Sequence, residues 1–237
     1  MGLFMEERVK TNIPGLDEIL NGGFMPSDLV LLTGPAGTGK TIMACQYLYN
    51  SIRFFNSPGV FISFEERPED VKKHMTNFGW YFDKYEEEGM MTFVKYDPLH
   101  IEDIFGLIEN NIHEIGAKRV VIDSITGLGL NIKNTSDLRA SIFNIGRMLK
   151  RSGCTSILTS EIPTENPKML STFGVEEHVA DDVIVLYRVP REASFVRAIY
   201  VWKMRGSMHS EKIHPYNITK KGIVVYPKDE IKVFNTG

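Results

Sequence analysis

The segment Leu29-Val-Leu-Leu-Thr33 is an apolar run, and Gly34-Pro-Ala-Gly-Thr-Gly39-Lys40-Thr41 follows it directly. A strand that leads into such a glycine loop and then into a helix is the P-loop signature. The glycines let backbone N–H groups surround a phosphate, the lysine reaches the β- and γ-phosphates, and the threonine hydroxyl binds Mg²⁺. We therefore expect ATP and Mg²⁺ to bind here, although a glycine turn without a ligand is the alternative. The expected nucleotide-binding residues are Gly34, Pro35, Ala36, Gly37, Thr38, Gly39, Lys40 and Thr41, with Thr41 also a metal ligand.

Length and composition favour one sizeable α/β domain over residues 1–237. The chain has 237 residues and 43% hydrophobic content, which is enough for a full core. No stretch approaches the ~20 apolar residues of a membrane span, and the start lacks the apolar run of a signal peptide. We therefore expect a cytoplasmic protein without membrane contact. The net charge of −3 gives no overall attraction to nucleic acid.

Apolar runs alternate with helical patterns, as in a mostly parallel sheet with helices on both faces. Strands are expected at 29–33, 59–64, 91–96, 119–123 and 155–160, with helices at 41–53, 68–78, 101–115 and 135–152. Thr135 and Ser136 are expected to cap the last of these helices. From Asp182 onward, short apolar runs at 183–189, 195–204, 214–218 and 223–226 predict an antiparallel extension of the same sheet.

Three carboxylates stand where parallel strands are expected to end. Asp123 closes the run Arg119-Val-Val-Ile, a position at which P-loop enzymes hold the Mg²⁺ shell. Glu65 and Glu66 follow another strand, and a carboxylate there could polarise the water that attacks the γ-phosphate. Because strand side chains alternate, only one of this pair is expected to face the site. Alternatively, both only favour the dipole of the helix that starts near Pro68.

Two further polar pairs each have both a functional and a structural interpretation. Lys203 and Arg205 lie two apart on an expected strand, so both would project to one side and could reach a phosphate. A solvated strand face is the alternative for this pair. Ser160 and Glu161 end the strand expected beside the P-loop strand, where Ser160 either senses the γ-phosphate or belongs to an ordinary strand exit.

Taken together, these segments resemble the KaiC family within the RecA-like ATPases. The resemblance covers nearly the whole chain, and motifs in the right order at both ends are more specific than the P-loop alone. The matching segments are Thr11-Asn-Ile-Pro-Gly15-Leu-Asp17-Glu-Ile-Leu-Asn-Gly22-Gly23, Gly34–Thr41, Phe64-Glu65-Glu66 with Pro68, Val121-Ile-Asp123-Ser124, Phe173-Gly-Val-Glu-Glu177, and Lys203-Met-Arg205-Gly206 with His209.

The resemblance implies a RecA-like P-loop fold that binds ATP between neighbouring subunits of a homo-oligomeric ring, usually a hexamer. By it, Glu65 and Glu66 carry over as the catalytic carboxylate pair and Asp123 as the acid associated with Mg²⁺. Lys203 and Arg205 carry over as cations that reach into the neighbour's site. We therefore expect slow ATP hydrolysis whose nucleotide state changes ring assembly or contacts with an unidentified protein partner.

The chain also departs from the clock proteins of the family. Those proteins carry two such domains in tandem, whereas this chain has length for one. Their autophosphorylating half has adjacent Ser and Thr where this chain has Glu177 and His178, and little sequence follows the last expected strand before Gly237. We therefore expect neither a clock function nor autokinase activity.

Two other functions remain open. A RecA- or DnaB-like motor on DNA would have basic pore loops after the strands that end at Asp123 and Ser160. Residues 128–135 contain only Lys133, and residues 162–182 contain one lysine against five acids, so nucleic-acid binding is not expected. The other alternative is a nucleotide-gated scaffold with negligible turnover, which residue types alone do not separate from a slow ATPase.

Overall fold

The computed structural model describes residues 7–96, 101–129, 132, 134–163, 165–191 and 193–231. Its strands are β1 Leu29–Gly34, β2 Gly59–Ser63, β3 Met91–Lys95, β4 Arg119–Asp123, β5 Thr155–Glu161, β6 Asp182–Arg191, β7 Ser194–Met204, β8 Ile213–Thr219 and β9 Gly222–Val225. Its helices are α1 Leu16–Ile19, α2 Lys40–Phe55, α3 Pro68–Met75, α4 Phe82–Glu87, α5 Ile101–Ile115, α6 Ile125–Leu128, α7 Thr135–Arg151 and α8 Glu176–Val179.

Within the described ranges, the strands form one sheet in the order β3-β2-β4-β5-β1-β6-β7-β8-β9. Strands β3 to β6 in this order are parallel, and β7, β8 and β9 continue the sheet in antiparallel fashion. This confirms the expected mostly parallel sheet with an antiparallel extension. One strand was assigned wrongly: β6 was expected in the antiparallel part, but it pairs in parallel with β1.

Both faces of the parallel sheet are covered by helices, because its strands are apolar on both sides. Helix α2 buries Met43 and Leu48 on one face, together with Trp80 and the neighbouring helices α3 and α4. Helices α5 and α7 bury Ile108 and Ile142 against the other face. A fully buried side chain of this kind stabilises the fold by ~1.5–3 kcal/mol, so the sheet with its two helical layers forms a rigid support for the loops at its edges.

The helix boundaries follow the expectations with one correction. Helix α7 starts at Thr135, and its cap is Asn134, whose side chain accepts a 2.9 Å hydrogen bond from Ser136 N. Thr135 and Ser136 are therefore inside the helix, and the observed cap lies one position before the first residue expected to cap it. Asparagine is among the preferred cap residues because its amide oxygen satisfies an N–H of the first turn. The helices α1, α4, α6 and α8 were not expected, since segments this short show no periodicity.

Two findings bear on the other expectations. None of the helices in the described part of the chain is long and apolar enough to cross a membrane. Two residues considered above lie outside the described residues. They are Lys133, the lysine of the segment considered for DNA binding, and Gly237.

Candidate functional site

The P-loop lies at the carboxyl end of β1, where the chain turns into the 16-residue helix α2. Gly37 and Gly39 have φ angles of 75° and 98°, a left-handed region that residues with a Cβ rarely adopt. Gly39 is also the N-cap residue of α2, so the helix directs its positive N-terminal end at the loop. A helix N-terminus with free N–H groups is a ready site for phosphate.

The antiparallel extension holds the P-loop from behind. Tyr216 on β8 is buried and donates a 2.5 Å hydrogen bond to the carbonyl of Thr38, whose own hydroxyl donates to Pro35 O at 2.9 Å. A Cβ on Gly39 would lie 2.9 Å from Ile218 Cδ1, a flexible side-chain end that can move, so the φ angle of 98° is the main reason for glycine here. The role of Tyr216 could not be predicted from the sequence, because one tyrosine in a short strand gives no local signal of a contact so distant in the chain.

Lys40 is buried, and its ammonium group donates to the carbonyls of Gly34 and Pro35 at 2.8 and 3.2 Å. Burial lowers the pKa of Lys40, while the charges of Glu161 and Asp123 oppose this shift. Glu161 Oε1 lies 3.8 Å from Lys40 Nζ. The lysine is thus held as a cation at the mouth of the loop, where a phosphate could replace the two carbonyl contacts.

Asp123 is held by hydroxyl groups from two other elements. Thr41 donates a 2.7 Å hydrogen bond to Asp123 Oδ2, and Thr159 donates to Oδ1. Burial raises the pKa of Asp123, and both hydrogen bonds oppose this shift. A hydroxyl and a carboxylate oxygen match the oxygen ligands that Mg²⁺ prefers, with waters and phosphate oxygens as the others. The described residues contain no group of three or more His, Cys, Asp or Glu that could hold a metal ion.

Glu65 and Glu66 both line the cavity beside the P-loop, which has a volume of about 290 Å³. The expectation that only one of them faces the site was wrong, because β2 ends at Ser63 and strand alternation stops before the pair. Ser124 donates a 2.8 Å hydrogen bond to Glu65 Oε1. Glu66 is exposed and makes no hydrogen bond or ion pair with the described residues. The other expected residues that line this cavity are Ala36, Gly37, Gly39, Lys40, Thr41 and Asp123.

Ser160 does not join this site. It is buried on the opposite side of β5, where its hydroxyl donates a 2.9 Å hydrogen bond to Glu176 Oε1. The side chains of Thr159 and Glu161 point toward the P-loop instead, as the two-residue alternation of a strand requires. Glu161, rather than Ser160, lines the cavity beside the P-loop.

Lys203 and Arg205 lie away from the P-loop of their own chain. Lys203 donates to the carbonyls of Glu177 and Ala180 at 2.8 and 2.6 Å, and Arg205 Nη1 lies 3.4 Å from Asp181 Oδ1. Burial, and then the charge of Arg205, lower the pKa of Lys203.

The sheet register shows how far this pair is from the P-loop. Met204 pairs with Asp182, which in turn pairs with Val30 on β1. Gly34 is four residues further along β1. At ~3.3 Å per residue, Met204, which lies between the two cations in the chain, is offset from Gly34 by about 13 Å along the strand direction. Neither cation therefore reaches the phosphate site of its own subunit.

Comparisons with known proteins identify the family of the chain. The family model described as "ATPase: KaiC" matches residues 9–230. A UPF0273 protein of Pyrococcus furiosus is 39% identical over 245 residues, with 96% of this chain and 97% of that protein covered. The circadian clock oscillator protein KaiC of Nostoc is 36% identical over 231 residues, which cover 93% of this chain and 44% of KaiC.

A solved structure has the same fold. The KaiC-like protein from the hyperthermophilic archaeon Pyrococcus horikoshii OT3 superposes with a TM-score of 0.87 at 40% identity, and 93% of this chain and 99% of that chain are covered. The family match spans both the P-loop and the segment of Lys203 and Arg205. The chain belongs to the KaiC family of ATPases and has its RecA-like fold.

Proposed function

We propose that this protein, acting as one ATPase domain over residues 1–237, binds ATP with Mg²⁺ and hydrolyses it slowly. The observation that carries the proposal is the arrangement around one cavity of a phosphate loop, a buried carboxylate held by two hydroxyls and a pair of exposed carboxylates. These groups are Lys40 in the loop, Asp123 beside Thr41, and the pair Glu65 and Glu66. A pure binding site has no need of carboxylates that face the γ-phosphate position.

The contacts of each residue indicate its role in phosphate binding, metal binding or proton transfer. The N–H groups at the start of α2 and the ammonium of Lys40 bind the phosphates, and Thr41 with Asp123 would hold Mg²⁺. When bound there, Mg²⁺ would supply positive charge that offsets the negative charge developing on the phosphate. Glu65 takes the proton of the attacking water, because the hydrogen bond from Ser124 holds one carboxylate oxygen and leaves the other free to accept. Glu66 accepts no such hydrogen bond from the described residues and is the second candidate for the catalytic base.

The site is completed by a second copy of the chain. Lys203 and Arg205 cannot reach their own P-loop, yet Arg205 is 62% exposed and remains available to a neighbour. In a ring, each subunit would place this pair beside the γ-phosphate bound by the next. An arginine supplied in this way is worth on the order of 10³ in rate where the mechanism uses one. We propose a homo-oligomer of this kind, a hexamer in the family's usual form, located in the cytoplasm.

Nucleotide state would then control the ring, since the phosphate that the neighbour's cations contact is present before hydrolysis and absent after it. Ring assembly, or contact with a protein partner, is the proposed output. Autokinase activity is not part of the proposal, because Glu177 and His178 stand at the positions where the phosphate acceptors of clock proteins would lie.

A DNA motor is less well supported. Three acids in residues 162–182, namely Glu176, Asp181 and Asp182, are buried and contribute nothing to a pore surface. The remaining surface still carries Lys168 against Glu165 and Glu177, which is not a basic loop.

One set of assays separates the candidates. ATP turnover is measured with Mg²⁺, with and without single-stranded DNA, alongside ATP affinity by calorimetry. We expect micromolar or tighter ATP binding, slow turnover and no stimulation by DNA. Binding without turnover would favour the nucleotide-gated scaffold, strong stimulation by DNA would favour the motor, and absence of ATP binding would overturn the proposal.

A further inference from the structure

A second cavity, of about 480 Å³, lies at the amino edge of the sheet, at the end opposite the P-loop. Its wall includes the first residues of β4 and β5 and the last residue of α2, namely Arg119, Thr155 and Phe55. The volume falls in the usual range of small-molecule sites. Nothing in the proposed ATP chemistry uses this cavity.

Four cations and one acid line this cavity. The cations are Arg8, Lys10, Lys118 and Arg119, and the acid is Glu7. Among the described residues, no carboxylate lies within 4.0 Å of any of the four cations. The side chain of Arg8 donates only to neutral groups, Gly23 O at 3.0 Å and Ser207 Oγ at 2.6 Å. The cavity therefore carries an excess of positive charge, with four cations against the single carboxylate of Glu7.

Arg119 is the most informative of the four. Only 4% of the residue is exposed, and its Nη1 has no hydrogen-bond partner among the described residues. The guanidinium lies between two rings, 4.6 Å from the centroid of Tyr47 and 5.1 Å from that of Phe55. A buried polar group without a partner is costly, and native proteins normally satisfy it with a protein group, a water or an ion.

The guanidinium lies over two aromatic rings, which accept no ordinary hydrogen bond, so its N–H donors need partners at its edge. An arginine edge matches the geometry of an oxyanion, to which it donates two parallel hydrogen bonds. Lys10 and Lys118 are exposed at the rim and make no hydrogen bond through their ammonium groups within the described chain, so both are free to turn toward the same ligand.

We propose that this cavity is a second anion site, which binds a phosphate group, free or carried by a small molecule, against Arg119, Lys10 and Lys118. The site is separate from the P-loop, since the two lie at opposite ends of the same strands. It does not depend on ATP hydrolysis, because none of its lining residues lines the P-loop cavity.

The test measures binding of inorganic phosphate and of glycerol 3-phosphate by calorimetry to the full chain carrying Lys40→Ala, in which the P-loop lysine is absent. In that background, Lys10→Ser/Lys118→Ser is compared with Lys73→Ser/Lys228→Ser. The control pair removes the same charge from exposed lysines that line neither cavity. We expect the first pair to weaken binding by about tenfold and the control pair to leave it unchanged.

The two probes separate the sources of the phosphate. Binding of both supports a general oxyanion site, and binding of glycerol 3-phosphate alone supports a small phosphorylated ligand. Arg119→Met is the second variant, and its fold is checked by thermal melting; if it folds, saturable binding should be lost, and if it does not, the lysine pairs decide. Absence of saturable binding, or equal affinities in the two double variants, would overturn the proposal.

Discussion

The hydroxyl of Thr41 donates a 2.7 Å hydrogen bond to Asp123 Oδ2, although 82 residues separate the two in the chain. Thr41 is in the first turn of α2 and Asp123 is the last residue of β4, so the contact joins the P-loop to the neighbouring part of the sheet. Thr159 on β5 holds the other carboxylate oxygen. Three elements thus fix one oxygen-rich corner beside the phosphate loop.

This contact predicts a magnesium dependence. Asp123→Asn keeps the size of the side chain but removes its negative charge, so the gain in ATP affinity that Mg²⁺ provides should fall by about tenfold, or ~1.4 kcal/mol. The measurement is ATP affinity with Mg²⁺ and with EDTA, with Asp137→Asn on the exposed start of α7 as the control. An unchanged ratio of the two affinities in Asp123→Asn would show that this carboxylate has no role toward the metal.

A buried carboxyl pair predicts a dependence of stability on pH. Asp182 is 0% exposed, and neither of its carboxyl oxygens has a hydrogen-bond partner among the described residues. Burial, and then the charges of Asp28 and Asp181, raise the pKa of Asp182 to about 8. Burial and Asp181 raise the pKa of Asp28 to about 6, while Lys150 opposes this shift. Between the unfolded value of about 4 and these values, the folded chain binds more protons than the unfolded chain, so the free energy of unfolding falls as pH rises.

Asp182→Asn should remove most of this dependence, because the amide is neutral at every pH. The melting temperature at pH 8 should rise by several degrees, since ~1 kcal/mol corresponds to about 2–4 °C in a chain of this size. Thermal denaturation at pH 5, 6, 7 and 8 measures the slope, and Asp137→Asn again serves as the exposed control. If the melting temperature of Asp182→Asn varies with pH as steeply as that of the unmodified chain, Asp28 and Asp182 do not cause the pH dependence.

The chain should not phosphorylate itself. Ser171 is buried a few residues before Glu177 and His178, and its hydroxyl lies within hydrogen-bond distance of the carboxylates of Glu176, at 2.8 Å, and of Glu177. A phosphate on Ser171 would therefore face two carboxylates, which repel it. Intact-mass spectrometry after incubation with Mg·ATP should show no added phosphate. Stoichiometric, acid-stable phosphate on Ser171 or Thr172 would contradict this expectation.

If the ATP site is shared between subunits, two inactive variants with different defects should complement each other. Lys40→Ala and Arg205→Ala proteins should each be nearly inactive as ATPases, because one lacks the phosphate lysine and the other the cation given to its neighbour. Mixed under conditions of subunit exchange, they should regain part of the activity, since some interfaces then pair an intact Lys40 with an intact Arg205. Native mass spectrometry first establishes that mixed rings form. Zero activity in proven mixed rings would show that Arg205, which lies in the turn just after β7, has no role in the neighbour's site.

The sequence could predict the P-loop because its residues are contiguous and each has a fixed task. It could equally have predicted β6 correctly: Val183 to Leu186 is a continuous buried apolar run, typical of a parallel strand covered on both faces. Strand alternation predicts that Ser160 and Glu161 face opposite sides of β5, but only the contact of Thr159 with Asp123 in the folded sheet shows that Glu161 is on the side of the site.

Other features depend on contacts that no local pattern reports. Tyr216 supports Thr38 from 178 residues away, and Arg119 gains its two aromatic neighbours only once α2 packs beside β4. The same holds for the distance between Lys203 and its own P-loop, because it depends on how β6 and β7 are registered against β1. These are properties of the folded sheet rather than of any segment.

The central claim, that Glu65 is the base of an ATPase, is tested most directly by ATP affinity and turnover in Glu65→Gln, Glu66→Gln and Lys40→Ala. Lys40→Ala should lose ATP binding. Glu65→Gln should keep the affinity and lose turnover by about 100-fold or more, because the amide cannot accept the proton of the water. Glu66→Gln, the matched control, should lose much less. Equal loss of ATP binding in Glu65→Gln and Lys40→Ala, or full turnover in Glu65→Gln, would contradict the account.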